Sequence, residues 1–327
     1  MKKKILLIST GGTIAMKDGE NKGAVPALTG ADLVRLVPGL DKLADLEVLE
    51  FCNLPSPSIV PEKMFELSQL VSREVEKYDG VVITHGTDVI EETSYLLFLT
   101  LSTKKPVIFT AAMRSNEELG LDGPRNLLNA IRVAADPTSY DRGVMLAVND
   151  EIFSVRDVYK SSTHLTNAFD APNYGMLGMI DHDTVIFFRK PEIREKYTVQ
   201  RIETSVDFIS LCAGMDERYI QTSITTGAKG LVVAAFGRGN VTPAVQRGIK
   251  DALAAGLIVV VSSRVPNGRV RGVYGYEGGG RQLEDLGCIM ANDLSAVKAR
   301  LKLMVLLGAG KTREEIIFSF QNENLIQ

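Results

Sequence analysis

Short apolar runs alternate with segments of helical spacing in the first half of the chain. The predicted strands are KILLI, EVLEF, GVVIT, PVIFT and GVMLAV, and the helices between them are ADLVRLV, PEKMFELSQLVSREVEKY, IEETSYLLFLTL and PRNLLNAIRVAA. Strands that are joined by helices usually run parallel. The order therefore predicts a parallel sheet covered by helices.

The helix that begins near Pro61 illustrates the pattern. Proline is favoured in a first helical turn, where its missing N–H is not needed. Apolar residues at positions 64, 67, 70, 71 and 75 recur on one face. We expect this face to pack on the sheet and the helix to have no other role.

A second alternation follows a charged segment without a period. We predict an N-terminal α/β domain over residues 1–189, a linker over 190–204 and a smaller C-terminal α/β domain over 205–327. The second set consists of the strands DFISLC, GLVVAAF and LIVVVSS and the helices PAVQRGIKDALAAG and LSAVKARLKLMVLL. A chain of 327 residues is long enough for two domains of ordinary size.

Composition and charge narrow the class of protein. Hydrophobic residues make up 45% and charged residues 24%, as in globular proteins, and the net charge of -3 gives no overall attraction for nucleic acid or an acidic membrane. The start MKKKILLIST resembles a signal peptide, but its apolar run extends only from Ile5 to Ile8. We expect a buried strand there, and no stretch approaches the ~18 apolar residues that span a bilayer.

The cysteines and histidines give no metal or disulfide pattern. They are widely spaced, at Cys52, Cys212, Cys288, His85, His164 and His182. Without a CxxC or a ligand-like spacing, no zinc site or disulfide framework is predicted. The cysteine usage favours a reduced, cytoplasmic setting.

Two predicted strands end in similar polar loops. The first continues into Ser9-Thr10-Gly11-Gly12-Thr13 and the third into Thr84-His85-Gly86-Thr87-Asp88. Ligands of open α/β sheets bind beyond the carboxyl ends of the strands. Each loop has a glycine that lets backbone approach a ligand and a threonine directly after it, which favours an acyl-transfer site.

Simpler interpretations exist for each loop. A Gly-Gly sequence after a strand often forms only a tight turn, and Asp88 alone would suit a helix cap. Neither the dinucleotide fingerprint GxGxxG nor the phosphate loop GxxxxGK[ST] is present. Phosphate or dinucleotide binding is therefore not predicted.

A catalytic threonine needs a base because its hydroxyl holds its proton firmly. A lysine made neutral by burial is one such base. Lys160, in the irregular segment VRDVYKSSTHLTNAF, is the candidate. Taken alone, it would be an ordinary surface charge.

The motifs together resemble the bacterial L-asparaginase family, which includes the asparaginase-glutaminases. The similar segments are ILLISTGGTIAM, GVVITHGTDVIEETSYLL, PVIFTAAMRS, LDGPRNLLNAIRVA, VRDVYKSS and NYGMLG. TGGTIA and THGTDVIEET are similar to the two active-site signatures of that family. The resemblance implies two α/β domains, no metal or cofactor, and a homotetramer of tight dimers. It also implies active sites between the N-terminal domain of one subunit and the C-terminal domain of its dimer partner.

The resemblance also assigns catalytic residues. Thr13 matches the nucleophile that attacks a side-chain amide, and Thr87, Asp88 and Lys160 match the second hydroxyl, the acid and the lysine. Which threonine attacks first is left open. The N–H groups of Gly12 and Thr87 match the oxyanion donors.

Substrate contacts follow from the same resemblance. Asp88 is expected to bind the α-ammonium group and Ser56 the α-carboxylate, and Asn240 matches a position that reaches the α-ammonium from the partner subunit. The acidic residue that the family supplies from the partner has no secure match, and Glu277 is the candidate.

Two positions depart from the family pattern. The lid between the first strand and the first helix, residues 16–33, lacks the usual tyrosine. Pro57 follows Ser56, where the family has a polar residue that helps to hold the α-ammonium group. Because proline offers no side-chain hydrogen bond, we expect weaker recognition of a free α-amino group.

The expected function is hydrolysis of L-asparagine to L-aspartate and ammonia by a cytoplasmic amidohydrolase. The alternatives are a relative that acts on glutamine, a D-amino acid, a blocked asparagine or a transamidation substrate, and a non-catalytic binder of small amino acids. The transamidation branch usually has an extra N-terminal domain, whereas TGGTIA starts here at residue 10. A binder would not need the lysine.

Overall fold

The protein forms two compact units, Met1–Glu192 and Ile193–Gln327. The computed structural model describes residues 2–19, 23–191, 193 and 195–322. The predicted α/β fold with a larger N-terminal and a smaller C-terminal sheet is confirmed. The segment predicted as a linker, 190–204, spans the division between the units, and its residues 192 and 194 lie outside the described residues.

The N-terminal unit contains strands and helices in alternation. Its strands are β1 Lys3–Gly11, β2 Met16–Gly19, β3 Gly23–Pro26, β4 Ala44–Leu54, β5 Gly80–Thr84, β6 Val107–Thr110, β7 Val144–Val148, β8 Glu151–Ser154, β9 Tyr159–Lys160, β10 Phe169–Asp170, β11 Gly178–Asp181 and β12 Thr184–Phe187. Its helices are α1 Gly30–Arg35, α2 Leu40–Leu43, α3 Pro61–Glu74, α4 Ile90–Thr100 and α5 Gly123–Ala135.

The main sheet has eight strands in the order β12-β11-β8-β7-β6-β5-β1-β4. The neighbouring strands β4, β1, β5, β6 and β7 pair in parallel, whereas β8, β11 and β12 add an antiparallel edge. The sheet is therefore mixed rather than purely parallel, because a hairpin after β7 reverses the chain. Two further pairs, β2-β3 and β9-β10, are short antiparallel ribbons.

The central strands are buried along most of their length because both faces of the sheet are covered. The run from Ile5 to Ile8 lies within β1, and its side chains are at most 1% exposed. Helix α3 starts at Pro61 and buries Met64, Leu67 and Val71, as the spacing predicts. Burial of these apolar faces holds the sheet and helices together.

The C-terminal unit is a smaller version of the same arrangement. Its parallel sheet has the order β13-β14-β15-β16. The strands are β13 Val206–Ser210, β14 Gly230–Ala235, β15 Ile258–Ser263 and β16 Ile289–Met290, and the helices are α6 Arg218–Thr225, α7 Pro243–Ala254, α8 Gly280–Asp285, α9 Ala296–Gly308 and α10 Arg313–Gln321. In the described part of the chain, no helix is long and apolar enough to cross a membrane.

Candidate active site

The loops after three neighbouring strands meet at one edge of the main sheet. Strand β1 lies between β4 and β5. Gly12 follows β1, Ser56 lies just beyond β4, and Gly86 lies just beyond β5. Parallel neighbours end at the same edge, so the sheet order brings these residues together.

Gly12 and Gly86 are in direct backbone contact. A Cβ atom on Gly12 would lie 2.3 Å from the Cα atom of Gly86, and Gly12 has a φ of +80°. A Cβ atom on Gly86 would lie 2.5 Å from the Cβ atom of Ser56. Only glycine fits at both positions, because any side chain would separate the loops. The threonines Thr13 and Thr87 each follow one of these two glycines.

Ser56 and His85 fix the turn that precedes Thr87. The buried Ser56 hydroxyl donates to the Gly86 carbonyl at 2.9 Å and accepts the Val89 N–H at 3.0 Å. His85 Nδ1 lies 2.8 Å from the same carbonyl, and since a carbonyl only accepts, this nitrogen carries the proton. Burial lowers the pKa of His85 to about 4, against a smaller opposite effect of the Gly86 hydrogen bond. His85 is therefore neutral at pH 7.

Lys160 contacts both Thr87 and Asp88. Its Nζ atom lies 2.8 Å from Thr87 Oγ1 and 2.7 Å from Asp88 Oδ1. Lys160 belongs to β9, which pairs with β10 through Phe169 and so has a fixed backbone. The Lys160 side chain is 17% exposed, which is not the position of an ordinary surface lysine. A nitrogen in this position can exchange a proton with the Thr87 hydroxyl while the Asp88 carboxylate balances its charge.

Thr13 lies in a single 3-10 turn, Thr13–Ala15, whose Ile14 and Ala15 are buried. Thr13 is half-buried. Within the described residues its hydroxyl has no hydrogen-bond partner, so it is open to a substrate. The lysine contacts Thr87, and not Thr13, in this structure.

Two groups that the sequence assigns to substrate binding already have protein partners. The Gly12 N–H donates to the Leu54 carbonyl at 3.0 Å, and the Ser56 hydroxyl is used as described above. Either group would have to exchange a hydrogen bond to bind an oxyanion or a carboxylate. The Thr87 N–H has no hydrogen-bond partner among the described residues and is the more available donor.

The other predicted residues lie at separate positions. Pro57 is exposed in the middle of the 3-10 turn Ser56–Ser58. Asn240 belongs to the C-terminal unit, where its side-chain Oδ1 accepts the Gly280 N–H at 3.1 Å. Glu277 is an exposed residue of the same unit.

The predicted lid contains the β2-β3 hairpin, and residues 20–22 of it lie outside the described residues. Asn116 holds the start of this segment, a role that the sequence analysis missed. Its Nδ2 atom donates to the Ile14 carbonyl at 2.8 Å and to the Met16 carbonyl at 3.2 Å. Asn116 lies beyond β6, the neighbour of β5, so the same inspection of strand ends would have reached it.

Both units match known family models. Residues 4–193 match the model described as Asparaginase, N-terminal, and residues 205–320 match the Glutaminase/Asparaginase C-terminal domain. This chain belongs to the asparaginase family. The resemblance inferred from the two signature motifs is thus confirmed.

Individual relatives of the asparaginase family match nearly end to end. The chain is 38% identical to a probable L-asparaginase of Deinococcus radiodurans, over 96% of this chain and 95% of that one. It is 34% identical to an L-asparaginase of Bacillus licheniformis, over 95% and 97% of the two chains. Among solved structures, a probable cytoplasmic L-asparaginase from Campylobacter jejuni superposes with a TM-score of 0.89 at 33% identity, covering 98% and 99% of the two chains.

Proposed function

We propose that this asparaginase hydrolyses the side-chain amide of L-asparagine to give L-aspartate and ammonia. The observation that carries the proposal is the contact of Lys160 Nζ with both Thr87 Oγ1, at 2.8 Å, and Asp88 Oδ1, at 2.7 Å. A hydroxyl, an amine and a carboxylate in sequence form a proton relay. The L-asparaginase relatives of similar length support the same reaction.

The reaction proceeds through an ester on a threonine. Thr13 Oγ1 attacks the amide carbon, and its proton passes through the Thr87 hydroxyl towards Lys160. The relay returns a proton to the amide nitrogen, which leaves as ammonia. Water then cleaves the aspartyl ester, one of its protons returns to Thr13, and aspartate leaves.

Asp88 has a second task in this proposal. One carboxylate oxygen contacts Lys160, whereas Asp88 Oδ2 has no partner among the residues that the structure describes. The side chain is 55% exposed, so this oxygen is accessible to the α-ammonium group of a substrate. Ser56 binds the α-carboxylate by exchanging its bond to the Gly86 carbonyl.

The oligomeric state and location belong to the same proposal. We propose that the protein is cytoplasmic and forms a homotetramer built from two dimers. In each dimer, Asn240 and the candidate Glu277 of one subunit approach the substrate bound to its partner. The family resemblance supports this arrangement, and the description of the Campylobacter jejuni relative supports the location.

Ammonia release from a panel of amides tests the proposal. L-Asparagine should be the best substrate among L-asparagine, L-glutamine, D-asparagine and N-acetylasparagine. Lys160→Met should lower release by at least about 10²-fold, whereas Lys104→Met, which replaces an exposed lysine of the same unit, should not. Saturable binding of asparagine without ammonia release would instead identify a non-catalytic binder. Because Pro57 removes a polar contact, N-acetylasparagine is the alternative substrate that the sequence favours most.

A further inference from the structure

A cavity of about 540 Å³ lies in the C-terminal unit and has no role in the reaction above. It is bordered by Arg238, which follows β14, and by Arg269 and Arg271, which lie between β15 and α8. Its volume is within the range of small-molecule sites. The cavity is therefore lined by three arginines from two separate loops.

Backbone hydrogen bonds join these two loops to each other and to the segment after β16. The Arg271 N–H donates to the Arg238 carbonyl at 3.0 Å, and the Val270 N–H donates to the Asn292 carbonyl at 2.8 Å. Val270, between the two arginines of its loop, is 2% exposed. The backbone that supports the arginines is thus fixed, although their side chains are exposed.

The three guanidinium groups have no neutralising partner among the described residues. Two other arginines of this unit do: Arg218 pairs with Asp216 at 2.8 Å and Arg281 with Asp285 at 3.1 Å. Three like charges around one cavity repel each other, and that repulsion is relieved by an anion.

Among the described residues that line the cavity, Glu284 has the one carboxylate, and this group already has a protein partner. Glu284 Oε1 accepts the Gly272 N–H at 2.9 Å. The thiol of Cys288 adds no charge, because burial raises the pKa of Cys288 to about 12. The lining therefore carries a net positive charge from the arginines.

Part of the cavity lining is apolar. It includes Val270, Ile289 and Met290, which are at most 7% exposed. Apolar surroundings reduce the screening of nearby charges, and the planar guanidinium group binds carboxylate or phosphate with two parallel hydrogen bonds.

From these observations we infer that Arg238, Arg269 and Arg271 form a binding site for a small multivalent anion, a phosphate or a dicarboxylate. The site lies within the C-terminal unit and does not depend on the proposed amidohydrolase activity. Inorganic phosphate and succinate separate the two chemical sources of the anion.

Isothermal titration of the full-length protein with each anion, at constant ionic strength, tests the inference. At least one anion should bind saturably, and Arg269→Gln and Arg271→Gln should each weaken that binding about ten-fold. Arg247→Gln is the matched control, since Arg247 is an exposed arginine of α7 outside the cavity. Arg269→Lys should give an intermediate affinity, because it keeps the charge and loses the paired hydrogen bonds.

Three results would overturn the inference. The first is an absence of saturable binding of both anions to the wild type. The second is an equal affinity in the cavity variants and in Arg247→Gln. The third is a change of oligomeric state, measured by light scattering, in the cavity variants without any anion binding, which would show that the arginines face acidic groups of a second copy.

Discussion

The Lys160–Asp88 pair and the Lys302–Glu195 pair are alike in chemistry and differ in their surroundings. Lys160 Nζ lies 2.7 Å from Asp88 Oδ1, and the side chains are 17% and 55% exposed. Lys302 Nζ lies 2.6 Å from Glu195 Oε2, and neither side chain is exposed. The distance alone therefore does not separate the proposed catalytic pair from a structural one.

The two pairs differ in the other groups that each lysine contacts. Lys302 Nζ also donates to the Ser319 carbonyl at 2.9 Å and lies 4.7 Å from the ring centroid of Phe320. Glu195 accepts the Tyr197 hydroxyl at 3.0 Å. These groups cannot be replaced by a ligand. Lys160 instead contacts a hydroxyl and a half-exposed carboxylate, both of which a substrate can approach.

Removal of the proposed nucleophile should have the largest effect. Thr13→Ala should lower kcat at least ~10³-fold, because no other group replaces a covalent nucleophile efficiently. The fold should persist, since the Thr13 hydroxyl has no hydrogen-bond partner in the described residues. Ammonia release and circular dichroism measure the two effects, and Thr13→Ser is the control that keeps a hydroxyl. Turnover of Thr13→Ala near that of the wild type would refute the assignment.

Replacement of Lys160 should separate activity from stability. Lys160→Met should lower kcat by roughly 10²–10⁴-fold with little change in KM, as loss of a proton relay does. The free energy of unfolding should change by no more than about 1 kcal/mol, because Asp88 is solvent-accessible. If KM rises while kcat is retained, Lys160 only positions the substrate by its charge.

Replacement of Lys302, in the buried pair, should lower stability and leave activity nearly unchanged. Lys302→Met leaves Glu195 buried without its cation, which costs about 3–5 kcal/mol of unfolding free energy. Lys302→Met combined with Glu195→Leu should recover much of this loss. Urea unfolding gives the free energies, and kcat of the folded fraction should stay within about two-fold of the wild type. A stability like that of the wild type in Lys302→Met would remove the distinction between the pairs.

The sequence predicts the parts of the fold that depend on local pattern. The parallel strands, the helix at Pro61 and the glycine loops after β1 and β5 follow from periodicity and turn chemistry. Parallel neighbours end at one edge of a sheet, and so the meeting of the Gly12 and Gly86 loops was also accessible from sequence.

Contacts between distant segments were not accessible in this way. The segment predicted as a charged linker contains Glu195, which is fully buried against Lys302 of α9. The antiparallel edge formed by β11 and β12 depends on pairing with β8. Likewise, the bond of the Gly12 N–H to Leu54 belongs to the packing of two loops. Single-residue patterns do not specify such partners.

The buried His85, unlike the two lysines, is not paired with a carboxylate of any described residue, and we expect it to make the stability of the fold depend on pH. Burial lowers the pKa of His85 to about 4 from an ordinary value of 6.5. The unfolded chain therefore takes up a proton between these values while the folded chain does not. Above pH 6.5 His85 is neutral in both the folded and the unfolded chain, so it does not lower the free energy of unfolding. As the pH falls from 6.5 to about 4, the free energy of unfolding decreases by about 3 kcal/mol. Urea unfolding across this range should show the slope, and His85→Gln should remove it. An unchanged slope in His85→Gln would assign the pH dependence to other groups.

The smallest predicted effect concerns Pro57, the residue after Ser56. In the proposed substrate complex, Asp88 holds the α-ammonium group with fewer partners because Pro57 lacks a polar group, and one hydrogen bond to a charged group contributes ~1.5–3 kcal/mol. Pro57→Gln should therefore lower KM for asparagine roughly ten-fold. Pro57 is exposed, so the new side chain meets no packing obstacle.

Pro55→Gln, two residues earlier and also exposed, is the matched control and should leave KM unchanged. The wild type should also accept N-acetylasparagine and succinamic acid better than Pro57→Gln does, relative to asparagine. If the wild type rejects both compounds completely and Pro57→Gln leaves KM as it was, another group supplies the missing contact.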